Sequence, residues 1–279
     1  IAGSISGLVM ETAVHPIDTI RTRIKANSKE FVTFTTQAKR MFIKEGPFSY
    51  WRGISCTFFG ASVSNIAYFY MYERLKGFLK NNQLVNPDLA PFIASFVGGC
   101  FQDMIYIPVD LVRTRMQLEP GQYEYKHFFD GVKKVSKYEG FRGLYLGGSA
   151  VFTLGGLHTS FTFGFYELFK KVLKPYIPSQ DGQVNYGLTL TSGLLAAGIS
   201  AMLTNPIDVL VTRMQMVNTA KHKRERIPTL LGKIYKNEGI KGYFKGITGR
   251  ISYYGIADVI LFSTYEFLKN KFGIDLHEV

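Results

Sequence analysis

The stretch "HPIDTIRTR", His15–Arg23, closes an otherwise apolar run, "IAGSISGLVMETAV". A proline, an aspartate and two arginines at the end of such a run are costly unless the fold needs them. The pattern then returns as "IPVDLVRTR", Ile107–Arg115, and as "NPIDVLVTR", Asn205–Arg213. Pro16, Pro108 and Pro206 are 92 and 98 residues apart. A second marker follows each proline: "EGPFSYWRG" from Glu45, "EGFRGLYLG" from Glu139 and "EGIKGYFKG" from Glu238. A third ends each unit: "YERLK" at Tyr72, "YELFK" at Tyr166 and "YEFLK" at Tyr265. The chain is therefore three copies of one unit, with boundaries expected at 1–84, 85–180 and 181–279. Polar, turn-prone stretches at 81–87 and 177–183 separate them.

Each unit holds two long apolar segments, six in all, near 1–23, 54–79, 90–115, 148–172, 187–213 and 247–270. Each approaches the ~20 residues that cross a bilayer as a helix. "AGSISG" and "SGLLAAG" supply the small residues that let helices approach closely in a membrane. The 279 residues are 46% hydrophobic with a formal charge of +12, and the charge is not spread evenly. Residues 21–52, 113–147 and 211–250 hold 25 of the 33 Lys and Arg but 8 of the 21 Asp and Glu. All three basic stretches follow an odd-numbered segment, which places them on one side of a membrane. Charge that tracks topology in this way, with no nucleic-acid motif beside it, argues against nucleic-acid binding. Two cysteines and five scattered histidines give no disulfide framework and no metal-ligand spacing. No nucleophile–base pair or phosphate loop is present, so the chain reads as neither an enzyme nor a cofactor protein.

Px[DE]xx[KR]x[KR], then EG, then aromatic-[KR]-G, then [FY][DE]xx[KR], three times over, resembles the mitochondrial carrier family across the whole chain. The resemblance implies an all-α membrane protein: six transmembrane helices around a pseudo-threefold axis, with a short matrix-side helix in each repeat. It implies an inner-membrane location with both termini toward the intermembrane space. Proline inside each odd helix removes a backbone donor and kinks it.

By the same resemblance, the acids and bases of the proline motif form a matrix gate. Asp18 pairs with Arg113, and Asp208 with Arg21. Asp110 faces Val211 and is left without a basic partner. Gln117 and Gln215 brace these pairs, with Lys25 at the corresponding place in the first repeat. Val211→Lys or Val211→Arg is expected to supply the missing partner and shift the carrier toward its intermembrane-space-open state. A cytoplasmic gate pairs Glu73 with Lys170, Glu167 with Lys269, and Glu266 with Lys76, braced by Tyr72, Tyr166 and Tyr265. The other reading of these residues is three local pairs within helices, each worth a few tenths of a kcal/mol.

Substrate contacts carried over from the family fall on Gly60, the pair Leu154 and Gly155, and Tyr253. None is arginine, which disfavours nucleotides, keto acids and dicarboxylates. Glu11 precedes Asp18 by seven residues, about two turns, and Asp103 precedes Asp110 by the same interval. Two such acids in a wet vestibule suit a cationic or amine-bearing small molecule. His158, Asn65 and Asp258 are further polar residues of the even helices. The first repeat is especially similar to S-adenosylmethionine carriers; the second departs at Leu154, Gly155 and Leu146. The family also binds cardiolipin at aromatic-[KR]-G, here Arg52 with Gly53 and Lys245 with Gly246. Leu146 removes the cation from the second copy. These departures fit a second expectation: a transport-inactive subunit of carrier fold docked on a larger inner-membrane complex.

Overall fold

The computed structural model describes residues 2–82, 90–177, 186–217 and 225–272, and these are helical, with no strand among them. Six long helices correspond to the six apolar segments. They are α1 (Ala2–Ala26), α3 (Ile54–Asn81), α4 (Ala90–Gln117), α7 (Gly148–Leu173), α8 (Tyr186–Gln215) and α10 (Ile247–Phe272). They run for 25 to 30 residues, roughly 37–45 Å at the α-helical rise, enough to cross a hydrocarbon core at a tilt. Three helices of 12 residues link the long ones: α2 (Phe34–Glu45), α5 (Phe128–Glu139) and α9 (Ile227–Glu238). A short α6 (Phe141–Leu144) and 3₁₀ turns at Pro47–Trp51 and Ile240–Phe244 lead into the even helices. Among the described residues, only Gly187–Gln215 is long and apolar enough to be a span by length and composition alone. The others are diluted by charges such as Glu11, Asp18 and Arg21 in α1.

The contacts divide the chain into two compact units. One draws on Ile1–Arg52, Thr153–Arg213 and Glu225–Val279, the other on Gly53–Phe152 and Met214–Arg224. In the first, α1 packs against α10, and Ile20 and Ile24 meet Met41 of α2. In the second, α3 packs against α4. Its core gathers Val109, Leu111 and Val112 with Phe128, Val135, Leu144 and Leu146. Leu146, which stands where the other repeats have a cation, is thus a core residue.

One clamp appears in every repeat. The second arginine of each proline motif grips the glutamate of the following EG with both of its terminal nitrogens: Arg23 on Glu45, Arg115 on Glu139, Arg213 on Glu238. Such forked pairs fix geometry as well as charge. They tie the end of each odd helix to the end of its short helix. The glycine of each EG has φ of 80°, 75° and 66°, a conformation that requires glycine and turns the chain back toward the next long helix.

The prolines lie inside continuous helices, and two of the three lost hydrogen bonds are replaced. Pro16 leaves the Thr12 carbonyl without its usual donor; the Trp51 indole donates to that oxygen at 3.0 Å. Pro108 does the same to Met104, and the Tyr145 hydroxyl donates there, also at 3.0 Å. Both donors are the aromatic of aromatic-[KR]-G. Phe244, its third copy, has no donor to give. Trp51→Phe and Tyr145→Phe should each lower stability by about 1 kcal/mol, and Phe244→Tyr should not. Thermal unfolding of the purified protein in detergent checks this; unchanged melting in both phenylalanine variants would refute the replacement.

Candidate functional site

The acid–base residues of the proline motifs lie deep in each unit. In the first unit Asp18 accepts from Arg21 Nε at 2.7 Å, one turn along α1. Asp208 is reached by Lys25 Nζ at 3.0 Å and faces Arg250 Nη1 at 3.5 Å. Arg250 also donates to the Thr204 hydroxyl at 2.9 Å. The direct partners of Asp208 here are Lys25 and Arg250, and Arg21 adds a longer-range attraction. Arg21 spends its bond on Asp18 because the two are neighbours on one helical face. Arg250 carried no expectation at all.

In the second unit Asp110 is not left alone. Arg113 Nη2 donates to it at 2.7 Å and Gln215 Nε2 at 2.9 Å, while Thr114 donates to Gln215 Oε1 at 2.8 Å. The local i,i+3 arginine and the glutamine amide supply what Val211 lacks. Val211 is itself a buried core residue. Gln117 is also buried. The pairings of Asp18 with Arg113 and of Glu73 with Lys170 run from one unit to the other and belong to the proposal below.

At the opposite ends of the even helices the described contacts are local. Lys76 lies 3.9 Å from Glu73 and over the Tyr72 ring at 5.0 Å; Lys170 lies over the Tyr166 ring at 5.4 Å. Glu73 and Glu167 are exposed. The side chains of Tyr265, Glu266, Lys269 and Asp258 lie outside the described residues.

The four family contact positions have unlike surroundings. Gly60 lies in a helix crossing: a Cβ there would come within 2.6 Å of Val109 Cγ1, so its open side faces α4. It is a packing glycine, which removes it as a bare lining position. Gly155 opens onto free space, and Leu154 is half-buried. Tyr253 is the richest. The Arg21 guanidinium lies 4.6 Å over its ring, and Tyr254 meets it edge-on at 5.5 Å. His158 stacks on Tyr254 at 4.7 Å. Glu11 and Asp103 are half-buried. Asn65 accepts from Gln102 at 3.0 Å.

The expected lipid residues also divide. Arg52 is one-third exposed, 3.4 Å from Glu45. Lys245 is buried, bound to Glu238 at 2.6 Å and to the Asn27 carbonyl at 2.5 Å. It closes the third clamp while still lining the neighbouring groove. Beside it a groove of about 470 Å³ is lined by Phe31, Phe34, Lys241, Phe244, Gly246 and Thr248, at the start of α10.

Burial alone would raise the carboxyl of Glu238, but hydrogen bonds from Arg213 and Lys245 hold it below its ordinary 4.5. Glu45 is likewise lowered, its bonds from Arg23 outweighing burial. A depressed folded value means that this stabilisation is complete above the unfolded value and is lost as pH falls through the folded one. Melting temperature should therefore drop as pH falls below about 4.5, and Glu238→Gln should flatten that slope. An identical pH profile in the variant would refute the assignment.

Comparison with known proteins is consistent with this geometry. The family model for the mitochondrial carrier protein matches residues 1–83, 86–176 and 182–275. Mitoferrin of Dictyostelium discoideum is 28% identical over 290 residues, covering 98% of this chain and 93% of that protein. Mitochondrial substrate carrier family protein E of the same organism is 28% identical, covering 98% and 95%. The mitochondrial S-adenosylmethionine carrier protein of Danio rerio is 26% identical, covering 95% and 94%. The chain belongs to the mitochondrial carrier family. It is accordingly a multi-pass protein of the mitochondrial inner membrane with the family's three-repeat all-α fold, in a family of transporters and not enzymes.

Proposed function

We propose that the protein moves a cationic or amine-bearing small metabolite across the inner membrane by alternating access. The observation that carries this reading is the ion-paired acid within each proline motif. Asp18 with Arg21, Asp110 with Arg113 and Gln215, and Asp208 with Lys25 and Arg250 are buried in long helices. Charges there are expensive, about 2.5–3.5 kcal/mol each on insertion scales, and a family of transporters has a use for them as exchangeable partners. In the proposed cycle Asp18 also meets Arg113, closing the matrix side. Glu73 with Lys170, Glu167 with Lys269, and Glu266 with Lys76 close the other. The termini then face the intermembrane space.

Glu11 and Asp103 are the proposed anchors of the cation. S-adenosylmethionine is the first compound to try, since a relative carries that name. Cardiolipin is proposed at the starts of the even helices, on Arg52 and Gly53 and in the groove beside Gly246, where backbone N–H groups favour phosphate.

Uptake of a panel of cationic metabolites into liposomes by the purified protein tests the reading. Glu11→Gln and Asp103→Asn should each cut uptake about tenfold or more, with the fold intact. No uptake of any solute, together with comigration with a respiratory complex on a native gel, would favour the docked-subunit alternative.

A further inference from the structure

The first unit contains a group of side chains that the proline motif accounts for only at Arg21. Tyr253 and Tyr254 of α10 meet edge to face at 5.5 Å. Arg21 of α1 lies over the first ring at 4.6 Å, and Arg250 over the second at 5.9 Å. On the second ring also stacks His158 of α7, at 4.7 Å and 24° between planes. Three nitrogens in this group are buried without a hydrogen-bond partner: Arg21 Nη1, Arg250 Nη1 and His158 Nε2. The Arg250 side chain is only 3% exposed. Its Nη1 faces Asp208 Oδ2 at 3.5 Å as an ion pair without a hydrogen bond, so that oxygen lacks a hydrogen-bond partner as well.

Buried polar nitrogens of this kind are normally matched by a partner, and the two arginine nitrogens can only donate, so theirs must be acceptors. The charges point the same way: among the described contacts of this unit, Arg21, Lys25 and Arg250 face two carboxylates, Asp18 and Asp208, one cation more than anions. We propose that this cluster seats the carboxylate of an amino-acid solute whose cationic group lies remote from it, an inference that rests on the transporter reading above. One carboxylate supplies one negative charge and two acceptor oxygens. A phosphate or a second carboxylate would bring more charge than the excess and would crowd Asp18 and Asp208.

Glu11 sets the distance to the other end of the solute. It precedes Arg21 by ten residues on α1, roughly 15 Å along the helix axis. Side chains reaching toward each other shorten that gap, but they do not close it to one carbon atom. The solute that touches both ends therefore carries its cation on a side chain, as lysine, arginine and S-adenosylmethionine do. The two tyrosine rings flank the stem between. The absence of arginine at Gly60, Leu154, Gly155 and Tyr253 is thus offset by Arg250, about one turn before Tyr253.

The test uses pairs of solutes that differ only in the carboxylate: lysine and cadaverine, arginine and agmatine, S-adenosylmethionine and its decarboxylated form. The full chain is reconstituted in liposomes and uptake of both members is measured. The expected result is at least one pair in which the amino acid is taken up roughly tenfold faster than its decarboxylated partner, the value of a charge-assisted hydrogen bond or two. His158→Phe keeps the ring on Tyr254 and removes the nitrogen, so it should shrink that preference several-fold, chiefly by slowing the amino acid. Arg250→Gln should do the same, but it is buried and its variant risks misfolding; His158→Phe is therefore the deciding one. Amines taken up as well as their amino acids, or a preference that survives His158→Phe, would overturn the carboxylate seat and leave the carrier reading standing. No uptake of any member would overturn both.

Discussion

Replacing Arg115 with leucine is expected to cost about 3–5 kcal/mol of stability, the range for breaking one side of a buried ion pair. Its side chain is fully enclosed. It forks onto Glu139 and donates from Nε to the Gln215 carbonyl at 2.8 Å and from Nη2 to the Val217 carbonyl at 2.9 Å. Its guanidinium also lies 4.7 Å over the Tyr123 ring. Leucine fills part of the volume and satisfies none of these oxygens. It leaves the buried Glu139 carboxylate without either guanidinium bond, and the loss of those bonds is the larger part of the cost. Arg115→Lys keeps the charge but not the fork, so it should recover only part of the loss. Arg115→Leu with Glu139→Met, which removes both charges, should recover more than lysine does. Chemical or thermal unfolding of the purified protein in detergent measures all three. An Arg115→Leu variant within 1 kcal/mol of the wild type would show that the clamp is ornamental.

That clamp also marks where the sequence stops being readable. Both of its members sit in motifs visible at first reading, the second base of the proline motif and the glutamate of EG. Nothing connects them in sequence, because 22, 24 or 25 residues and a change of helix lie between them. Only closure of each repeat brings them together. Pairs set by local helix geometry are different: Asp18 with Arg21 and Asp110 with Arg113 lie three residues apart, and periodicity alone places them on one face. The three repeats and the six long helices were legible for the same reason, since they rest on period and spacing; the three short helices came only with the family resemblance. Comparing repeats exposed departures from the pattern but not their remedies. Leu146 looked like a missing lipid cation and is a core residue. Lys245 looked like a lipid cation and completes a clamp. Gly60 looked like a bare contact and is a close approach of two helices. In each case the deciding neighbour comes from another element. Trp51 and Tyr145 are a subtler instance. Their aromatic character was plain, but the carbonyls they serve are defined by prolines 35 and 37 residues earlier in the chain.

Val211 is the departure with the sharpest consequence, and the structure reverses what the repeat pattern suggests for it. Position 211 lies three residues after Asp208, as Arg21 does after Asp18 and Arg113 after Asp110. A lysine there would reach the acid of its own repeat first. Asp208 already holds Lys25 at 3.0 Å, 183 residues away in sequence, and faces Arg250 at 3.5 Å. The basic residue missing from the third repeat has been replaced from α1 and α10. Adding Val211→Lys would put a third cation on one carboxylate, at a site that is 5% exposed. Desolvation of the ammonium and repulsion from Lys25 then both oppose folding. The expected result is a loss of about 2 kcal/mol or more, the lower range for burying a poorly matched charge. Lys25→Gln alone should also destabilise, because it leaves Asp208 with the long contact to Arg250. The two changes together should cost less than their sum, since lysine at 211 then takes the place that Lys25 vacates. A favourable coupling of about 1–3 kcal/mol in the double-mutant cycle is expected for residues that share one partner. Strict additivity, or a Val211→Lys variant more stable than the wild type, would mean that Asp208 is not shared in this way. The third repeat would then have an acid still open to a local base.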